Sequence, residues 1–504
     1  MNSSKQIKLG AVLSYASIAI NILSGLLYTP WMINQIGQND YGLYTLANSV
    51  ITLLMVDFGL SSATARYLSK YNAEGKKEEA ERFLGAVYKL YLIVDAVILT
   101  ALVIIYFRID TIYATLTPDE LSRFKVVYII SALFSVVNFP FITFNGILTS
   151  HEKFVPLKLA DVIYRVCLVS FTIIALLMGF GLYALVTVHA IVGWSVTLYK
   201  FIVIKKTVPL KVKFKNTDKS LYKDIFSFSI WTTISSLMQR LVFNITPSIL
   251  GMVTGAAQIA VFGIVTTIEG YSYTITTAIN GMFMPRISRL VANDKSNEAL
   301  NKLLIDVGKF QFTINGLIIA GFAVVGKSFI NLWMGEAYMD AYYGILLVVI
   351  PGAFFNSMQI ANTTVVVEGK VKLMAIVNIL TGVINVCLSY PLSKTFGVIG
   401  ACVSICIAYS VRSVVLMILY NKVLPFDIPN FIKNCYVKLC IPIIATILLG
   451  FAMNMVIPDR GWLVLIFKGG VTALVFGVLV LFFGFNKGER SALLGKVKGI
   501  IKKH

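Results

Sequence analysis

Long apolar runs recur along the whole chain, and they constrain its fold more than any other feature. Each is about 20 residues or more, which is long enough to cross a bilayer as a helix. Short polar breaks separate the runs, and no stretch is left over for a soluble domain. The sequence therefore predicts an all-α polytopic membrane protein with about fourteen transmembrane helices.

Composition supports this class. The 504 residues are 57% hydrophobic and 13% charged, whereas soluble proteins carry about 25% charged residues. The predicted spans are about 10–34, 41–66, 83–107, 125–149, 154–178, 182–204, 224–252, 257–286, 303–331, 341–367, 371–392, 397–421, 436–456 and 462–485. We expect the first run to be a retained span and not a cleaved signal peptide, because it is too long and lacks a small-residue cleavage site.

Basic residues alternate from one predicted loop to the next, as expected for loops on the two sides of a membrane. Most of the 44 Lys and Arg residues fall on one side, and the opposite loops hold about four, Arg108, Arg123, Lys394 and Arg460. This bias places both termini in the cytoplasm and predicts a multi-pass protein of the cell (plasma or inner) membrane. The net charge of +20 is then explained by topology and by attraction to anionic lipid headgroups, not by nucleic acid.

The stretch GFAVVGKS (321–328) fits the pattern of a phosphate-binding loop. Its neighbours NGLIIA and FINLWM are continuously apolar, without the strand and loop that a nucleotide site requires. Lys327 lies toward the outer end of span nine, so we expect a chance match, no ATP site, and a lysine that reaches the outer interface. The six cysteines show neither metal spacing nor a disulfide framework, and no metal or other cofactor is expected.

A weak internal repeat divides the chain. ARYLSKYNAEGKKEEAERFL (65–84) aligns with PRISRLVANDKSNEALNKLL (285–304) at an offset of 220 residues, six spans apart. Because six is even, the two copies must share an orientation, which predicts parallel repeats of a transporter type. The predicted parts are an N-lobe of spans one to six (1–204), a basic cytoplasmic linker (205–223), a C-lobe of spans seven to twelve (224–421), two appended spans (422–485) and a basic cytoplasmic tail (486–504).

The segment YGLYTLANSVITLLMVDFGLSSATARYLSKY (41–71), followed by a short Glu/Lys-rich loop, resembles a known family. It looks like the lipid-linked oligosaccharide flippases, O-antigen or capsule type, of the polysaccharide biosynthesis branch of the multidrug/oligosaccharidyl-lipid/polysaccharide exporter superfamily. The resemblance implies two six-helix lobes around a cavity lined mainly by spans one, two, seven and eight, opening alternately to each side. It implies export of a polyprenyl-pyrophosphate-linked oligosaccharide for cell-surface polysaccharide assembly, beside a polysaccharide polymerase and glycosyltransferases.

Two charged residues lie near the middle of spans that this resemblance places at the cavity. Arg240 in span seven offers a planar, permanent cation to a pyrophosphate, and Glu269 in span eight could hold Arg240 when the cavity is empty. The alternative is a structural salt bridge between neighbouring helices. Asn21, Gln239 and Asn244 are candidates for contact with sugar hydroxyls, although such residues also join helices.

Gating or cation coupling is assigned to a second set of residues. Asp57, in VDFGL of span two, could bind a coupling cation or latch the inner gate, or could simply bond to nearby backbone or to Ser61. Asp95 lies on span three and has no partner visible in the sequence. Arg66 and Arg286 occupy matched inner helix ends, where they either gate or reach lipid phosphates.

Other intramembrane polar residues suggest structure more than transport. Asp161 and Arg165 are four residues apart on span five and are predicted to form an internal ion pair. His189 and Arg412 lack partners that the sequence can identify, and His189 is expected to be an interhelical contact.

Without an ATPase site, transport must draw on the membrane potential or on coupled protons or sodium. A multidrug/cation antiporter of the same superfamily is the first alternative, and it would favour acidic groups over the central Arg240. A membrane glycosyltransferase or polymerase is the second, but such enzymes favour a large outer loop or an acidic metal-binding pair. The longest predicted outer loop, about residues 108–125, has only Asp110, Asp119 and Glu120. A structural scaffold, the third, would need no midplane charges, so we expect a transporter and not an enzyme.

Overall fold

The computed structural model describes residues 3–214, 219–280, 283–292, 297–458, 461–486, 488 and 490. All regular secondary structure in these residues is helical, which confirms the predicted all-α class. The first helices are α1 (Ser3–Ile36), α2 (Gln38–Leu54), α3 (Leu60–Ala73), α4 (Lys77–Ile112), α5 (Pro118–Asn138), α6 (Thr143–Ser150), α7 (Phe154–Leu177) and α8 (Gly181–Thr207). Then follow α9 (Lys219–Phe243), α10 (Thr246–Val253), α11 (Ala256–Thr277), α12 (Met284–Ala292), α13 (Asn297–Met334), α14 (Asp340–Asn356), α15 (Gln359–Val367), α16 (Val371–Val423), α17 (Ile428–Phe431), α18 (Lys438–Val456) and α19 (Gly461–Leu479).

Ten helical segments in the described residues are long and apolar enough to cross a membrane. One of them, α16, contains predicted spans eleven and twelve, which meet at Gly397, where φ is 58°. The ten segments therefore account for eleven predicted spans, and a total of fourteen is compatible with them. The three others are spans two, seven and eight, whose helices fall short of the required length or apolarity.

The order of helices repeats along the chain, as the sequence alignment predicts. The long helix α4 begins at Lys77, and the long helix α13 begins at Asn297, 220 residues later. Each is preceded by a short helix, α3 or α12. The offset seen in 20 residues of sequence thus extends to whole helices.

Contacts divide the chain into two compact units. The first comprises Met1–Gly263 with Asn378–Ala401, and the second comprises Ile264–Val377 with Cys402–His504. Helices α9 and α10 belong to the first unit because they pack on α2 and α3. Packing is close here, since a Cβ on Gly42 would lie 2.0 Å from the Ala256 carbonyl oxygen. The boundary between the units therefore lies beyond the linker at 205–223.

The start of that linker is bound along α4 by one buried carboxylate. Glu81 is only 4% exposed, and its Oε1 accepts the backbone N–H of Lys211 at 3.1 Å. Its Oε2 lies 3.0 Å from Lys213 Nζ, and this bond raises the pKa of Lys213. A Cβ on Gly85 would come within 1.9 Å of the Lys213 carbonyl oxygen, so the linker approaches α4 as closely as glycine allows.

We expect Glu81→Ala to release this part of the linker. Hydrogen bonds to charged groups contribute about 1.5–3 kcal/mol each, and cleavage of a segment that opens rapidly follows its open population. Trypsin should therefore cut after Lys211 and Lys213 at least about tenfold faster than in the unaltered protein in detergent micelles. Glu79→Ala, which removes a half-exposed carboxylate from the same helix, is the matched control, and equal cleavage rates in the two variants would contradict the role of Glu81.

Candidate functional site

An interruption in span two forms the centre of the candidate site in the first unit. Helix α2 ends at Leu54 and α3 begins at Leu60, and between them Phe58 (φ 52°) and Gly59 (φ 67°) adopt left-handed backbone conformations. Asp57 Oδ1 accepts the Gly59 N–H at 3.0 Å. This is the local backbone bond that the sequence offered as the alternative to a gating role, and Asp57 stabilises the break through it.

Arg240 also bonds to this interruption. Its guanidinium, on α9, donates to the carbonyl oxygen of Thr52 in the last turn of α2. Carbonyls in a last turn have no partner within their own helix, so Arg240 supplies one. Its charge also lies close enough to act on Asp57. One of the five guanidinium N–H groups is used in this bond, and the arginine joins α9 to the broken helix.

The predicted ion pair between Asp161 and Arg165 is not formed. Asp161 Oδ2 lies 3.3 Å from Nζ of Lys158, three residues earlier on α7. Arg165 instead reaches α1, where its Nε donates to Ser24 Oγ at 3.1 Å and its Nη2 to the Asn21 carbonyl at 3.3 Å. A shared helix face permits an ion pair, but Asp161 pairs with Lys158 and Arg165 bonds to α1. Arg165 has no carboxylate within 4.0 Å among the described residues.

Three tyrosines of the first unit lie within reach of the charge of Arg165. Its charge acts on the hydroxyls of Tyr28 on α1, Tyr44 on α2 and Tyr164 on α7. Guanidinium and phenol groups together offer several hydrogen bonds to phosphate and hydroxyl oxygens. Sequence reasoning missed this cluster, although Tyr28 and Tyr44 lie on spans one and two, which the resemblance places at the cavity.

His189 on α8 contacts Tyr164, one of these three tyrosines. Its ring meets Phe134 edge to face at 5.3 Å and Tyr164 at 5.9 Å. It therefore packs between α5 and α7, in keeping with the expectation that it is an interhelical contact.

A second cluster lies within the second unit. Arg412 on α16 is 3% exposed, and its guanidinium lies 3.8 Å from the centroid of the Phe355 ring, as in a cation–π contact. The hydroxyl of Tyr409 is within reach of its charge, and Glu269 on α11 acts on the same hydroxyl. Nε and Nη2 of Arg412 find no hydrogen-bond partner in the part of the chain that the structure describes. The sequence could not identify Phe355 and Glu269, which lie on other helices, although Tyr409 precedes Arg412 by three residues on α16.

The other predicted site residues are distributed as follows. Arg240 belongs to the first unit and Glu269 to the second, so their pairing stays a prediction. Oδ1 of Asp95 is buried without a partner among the described groups, and Asn244 lies between α9 and α10. Exposed positions are Asn21, Gln239, Arg66 and Arg286. Among the described residues, no group of three or more His, Cys, Asp or Glu could hold a metal ion.

Comparison with known sequences gives a family match. The model of the family described as polysaccharide biosynthesis protein matches residues 8–291. A Shigella flexneri protein named "Putative O-antigen transporter" is 25% identical over 204 residues, which are 40% of this chain and 47% of that protein. An Escherichia coli (strain K12) protein of the same name is 22% identical over 419 residues, 80% of this chain and 94% of that protein.

Solved structures show the same fold. The lipid II flippase MurJ in an inward closed conformation superposes with a TM-score of 0.74 at 15% identity, covering 94% of this chain and 98% of that one. An inward-facing multidrug resistance transporter of the MATE family and MOP superfamily gives 0.69 at 14% identity, covering 86% and 99%. At these identities the likeness concerns architecture alone.

The bond from Asp57 to the interruption yields a test. Asp57→Asn keeps an Oδ1 acceptor for the Gly59 N–H, so its thermal unfolding in detergent should match that of the unaltered protein. Asp57→Ala leaves that N–H unpaired and should lose about 1–2 kcal/mol of stability, as for the loss of a helix cap. Equal losses in both variants would show that the charge near Arg240, and not the hydrogen bond, holds the break.

Proposed function

The chain belongs to the polysaccharide biosynthesis protein family, and from that premise we propose that it is an alternating-access flippase. Its cargo is an oligosaccharide on a polyprenyl pyrophosphate, moved from the cytoplasmic to the outer leaflet for assembly of a cell-surface polysaccharide. The observation that supports this cargo most directly is the pair of arginines, Arg165 and Arg240, bonded in one unit to α1 and α2.

The chemistry of these arginines suits a pyrophosphate. Guanidinium groups remain charged at all relevant pH values and bind phosphate oxygens in a bidentate manner. Charges at membrane depth cost about 2.5–3.5 kcal/mol each on insertion scales and by default mark function or pairing. Arg165 bonds to a hydroxyl and a backbone carbonyl and Arg240 to a backbone carbonyl. Neutral acceptors such as these can exchange for a phosphate.

Three predicted spans support a water-filled path. Spans two, seven and eight fall short of the length or the apolarity of the ten spanning helices, and the family resemblance places all three at the cavity. Helices that face water on one side need fewer apolar residues than helices surrounded by lipid. On this proposal Asn21, Gln239 and Asn244 meet sugar hydroxyls, and Glu269 is a further candidate for cargo binding.

Transport is driven in our proposal by the membrane potential, by coupled ions, or by both. An inside-negative potential favours outward movement of an anion by about 2.3 kcal/mol per charge per 100 mV. Asp57, Asp95 and Glu269 are the carboxylates that could carry H⁺ or Na⁺ inward, and Arg66 and Arg286 are gate candidates at the inner helix ends.

The same proposal includes no bond-making catalysis and no resident cofactor. Polysaccharide polymerase and glycosyltransferases are the proposed protein partners, because they make and consume such a cargo. Placement in the cell membrane with both termini in the cytoplasm follows from the distribution of Lys and Arg.

Substitution of the two arginines tests the proposed cargo. Arg165→Ala and Arg240→Ala, expressed at equal levels in cells that lack the native protein, should each reduce export at least about tenfold, since one charged hydrogen bond contributes about 1.5–3 kcal/mol. Arg165→Lys should recover only part of the activity, because lysine keeps the charge and loses the bidentate geometry. The measurement is the amount of lipid-linked oligosaccharide left on the cytoplasmic leaflet.

Lys394→Gln is the control, because it removes an exposed cation at the predicted outer end of span eleven, away from both arginines in sequence. Unchanged export by both alanine variants would remove the arginines from cargo binding. Efflux of cationic dyes without any accumulation of lipid-linked oligosaccharide on deletion of the protein would instead favour a multidrug/cation antiporter, whose solved relatives share the fold.

A further inference from the structure

A polar cavity lies at one end of the second unit, at the predicted outer end of span nine. Its volume is about 580 Å³. Three elements form it: the last turns of α13, the short 3₁₀ turn Glu336–Tyr338 and the beginning of α19. Its polar side chains are Lys327, Ser328, Asn331 and Glu336, and its apolar ones include Leu332 and Leu465. This cavity contains the Lys–Ser pair of GFAVVGKS, for which the transport mechanism has no use.

The structure shows that GFAVVGKS (321–328) is not a nucleotide-binding phosphate loop. A phosphate loop places its Lys and Ser at the start of a helix, where free N–H groups face the anion. Lys327 and Ser328 instead lie inside α13, near its C-terminal end at Met334. Any anion at Lys327 is therefore bound by side chains, with the ammonium group as the main donor.

Among the described residues that line the cavity, one cation and one anion do not neutralise each other. Lys327 Nζ and the Glu336 carboxylate form no salt bridge within 4.0 Å, and neither has a hydrogen-bonded partner among the described residues. Two unpaired opposite charges in one cavity are complementary to a ligand that itself carries both signs. A ligand with a single negative charge would be attracted by Lys327 and repelled by Glu336.

Aromatic rings next to the cavity place it at the water–lipid boundary. Phe329 stacks on Trp333 with ring centroids 5.2 Å apart and meets Trp462 edge to face at 6.3 Å. Tryptophan is enriched at membrane interfaces, where its apolar body and polar N–H match both media. Leu332 and Leu465 continue the apolar side of the cavity, so a ligand with hydrocarbon chains fits below a polar head.

We propose that this cavity binds the headgroup of an ethanolamine phospholipid. The phosphate accepts hydrogen bonds from the Lys327 ammonium, with Asn331 beside it. The primary ammonium of the headgroup donates to the Glu336 carboxylate. The acyl chains lie along Leu332 and Leu465. Choline headgroups carry no N–H to donate to Glu336, and glycerol headgroups leave that carboxylate without a cation. None of its lining residues is assigned to transport, and the proposal does not depend on the proposed function.

Lipid binding to the purified full-length protein tests this proposal. In native mass spectrometry of the protein released from detergent micelles, phosphatidylethanolamine should remain bound at collision energies that remove phosphatidylcholine and phosphatidylglycerol with the same acyl chains. Lys327→Gln and Glu336→Gln should each weaken ethanolamine lipid binding about tenfold, the effect of losing one charged contact of about 1.4 kcal/mol. Lys394→Gln, an exposed lysine in the first unit, is the matched control and should bind like the unaltered protein.

A charge exchange provides the second arm. The double variant Lys327→Glu with Glu336→Lys keeps one cation and one anion in the cavity and should bind ethanolamine lipid better than either single reversal. Both positions are at the surface, so the substitutions should not affect folding. Thermal unfolding in phosphatidylcholine checks this, and all variants should unfold at the same temperature. The proposal is overturned if phosphatidylglycerol binds as tightly as the ethanolamine lipid, or if Glu336→Gln and the control variant retain the same amount of it.

Discussion

Backbone hydrogen bonding in a medium without water is the constraint on which this structure depends. Each unpaired N–H or C=O group costs several kcal/mol in hydrocarbon, so a spanning helix can be broken only where other groups replace the lost bonds. Span two is broken between Leu54 and Leu60, and Asp57 and Arg240 supply the replacements, one for a free N–H and one for a free carbonyl. Polar groups that mark transport residues in the sequence are thus also what makes the break possible.

The sequence predicted the features that depend on the bilayer and missed those that depend on which helices pack together. Apolar length and the bias of Lys and Arg depend on the bilayer alone, so they predicted the helical class and a span number compatible with the structure. The pairing of Arg165 depended on which helix lies beside α7, and a residue spacing of four could not show that Ser24 and Asn21 on α1 were nearer. Phe355 on α14 and Glu269 on α11 were hidden for the same reason, since they come from helices other than α16, whereas Tyr409 precedes Arg412 by three residues on the same helix.

The linker, which lies outside the predicted spans, shows the same limit of prediction from sequence. Its many lysines predicted a solvated basic segment, and Lys213 is indeed half-exposed. Yet Glu81 is buried while Glu79, two residues before it, is half-exposed, and nothing in KKEEAERFL distinguishes them. Only the close passage of the chain over Gly85 selects Glu81. Charge patterning predicts the environment of a segment, and packing decides which single charge holds it.

The partners of Arg165 matter for how a transporter could use it. An arginine paired with a carboxylate must lose a strong, partly desolvated charge pair before it can bind a phosphate, and breaking a buried pair costs about 3–5 kcal/mol. Arg165 bonds to a hydroxyl and a carbonyl instead, and net hydrogen bonds to such neutral groups contribute far less. Exchange of those acceptors for a phosphate, and back again on release, then requires only small free-energy changes. A cycle that must bind an anion on one side and release it on the other is best supported by a cation held in this way, because neither end of the cycle becomes a deep minimum.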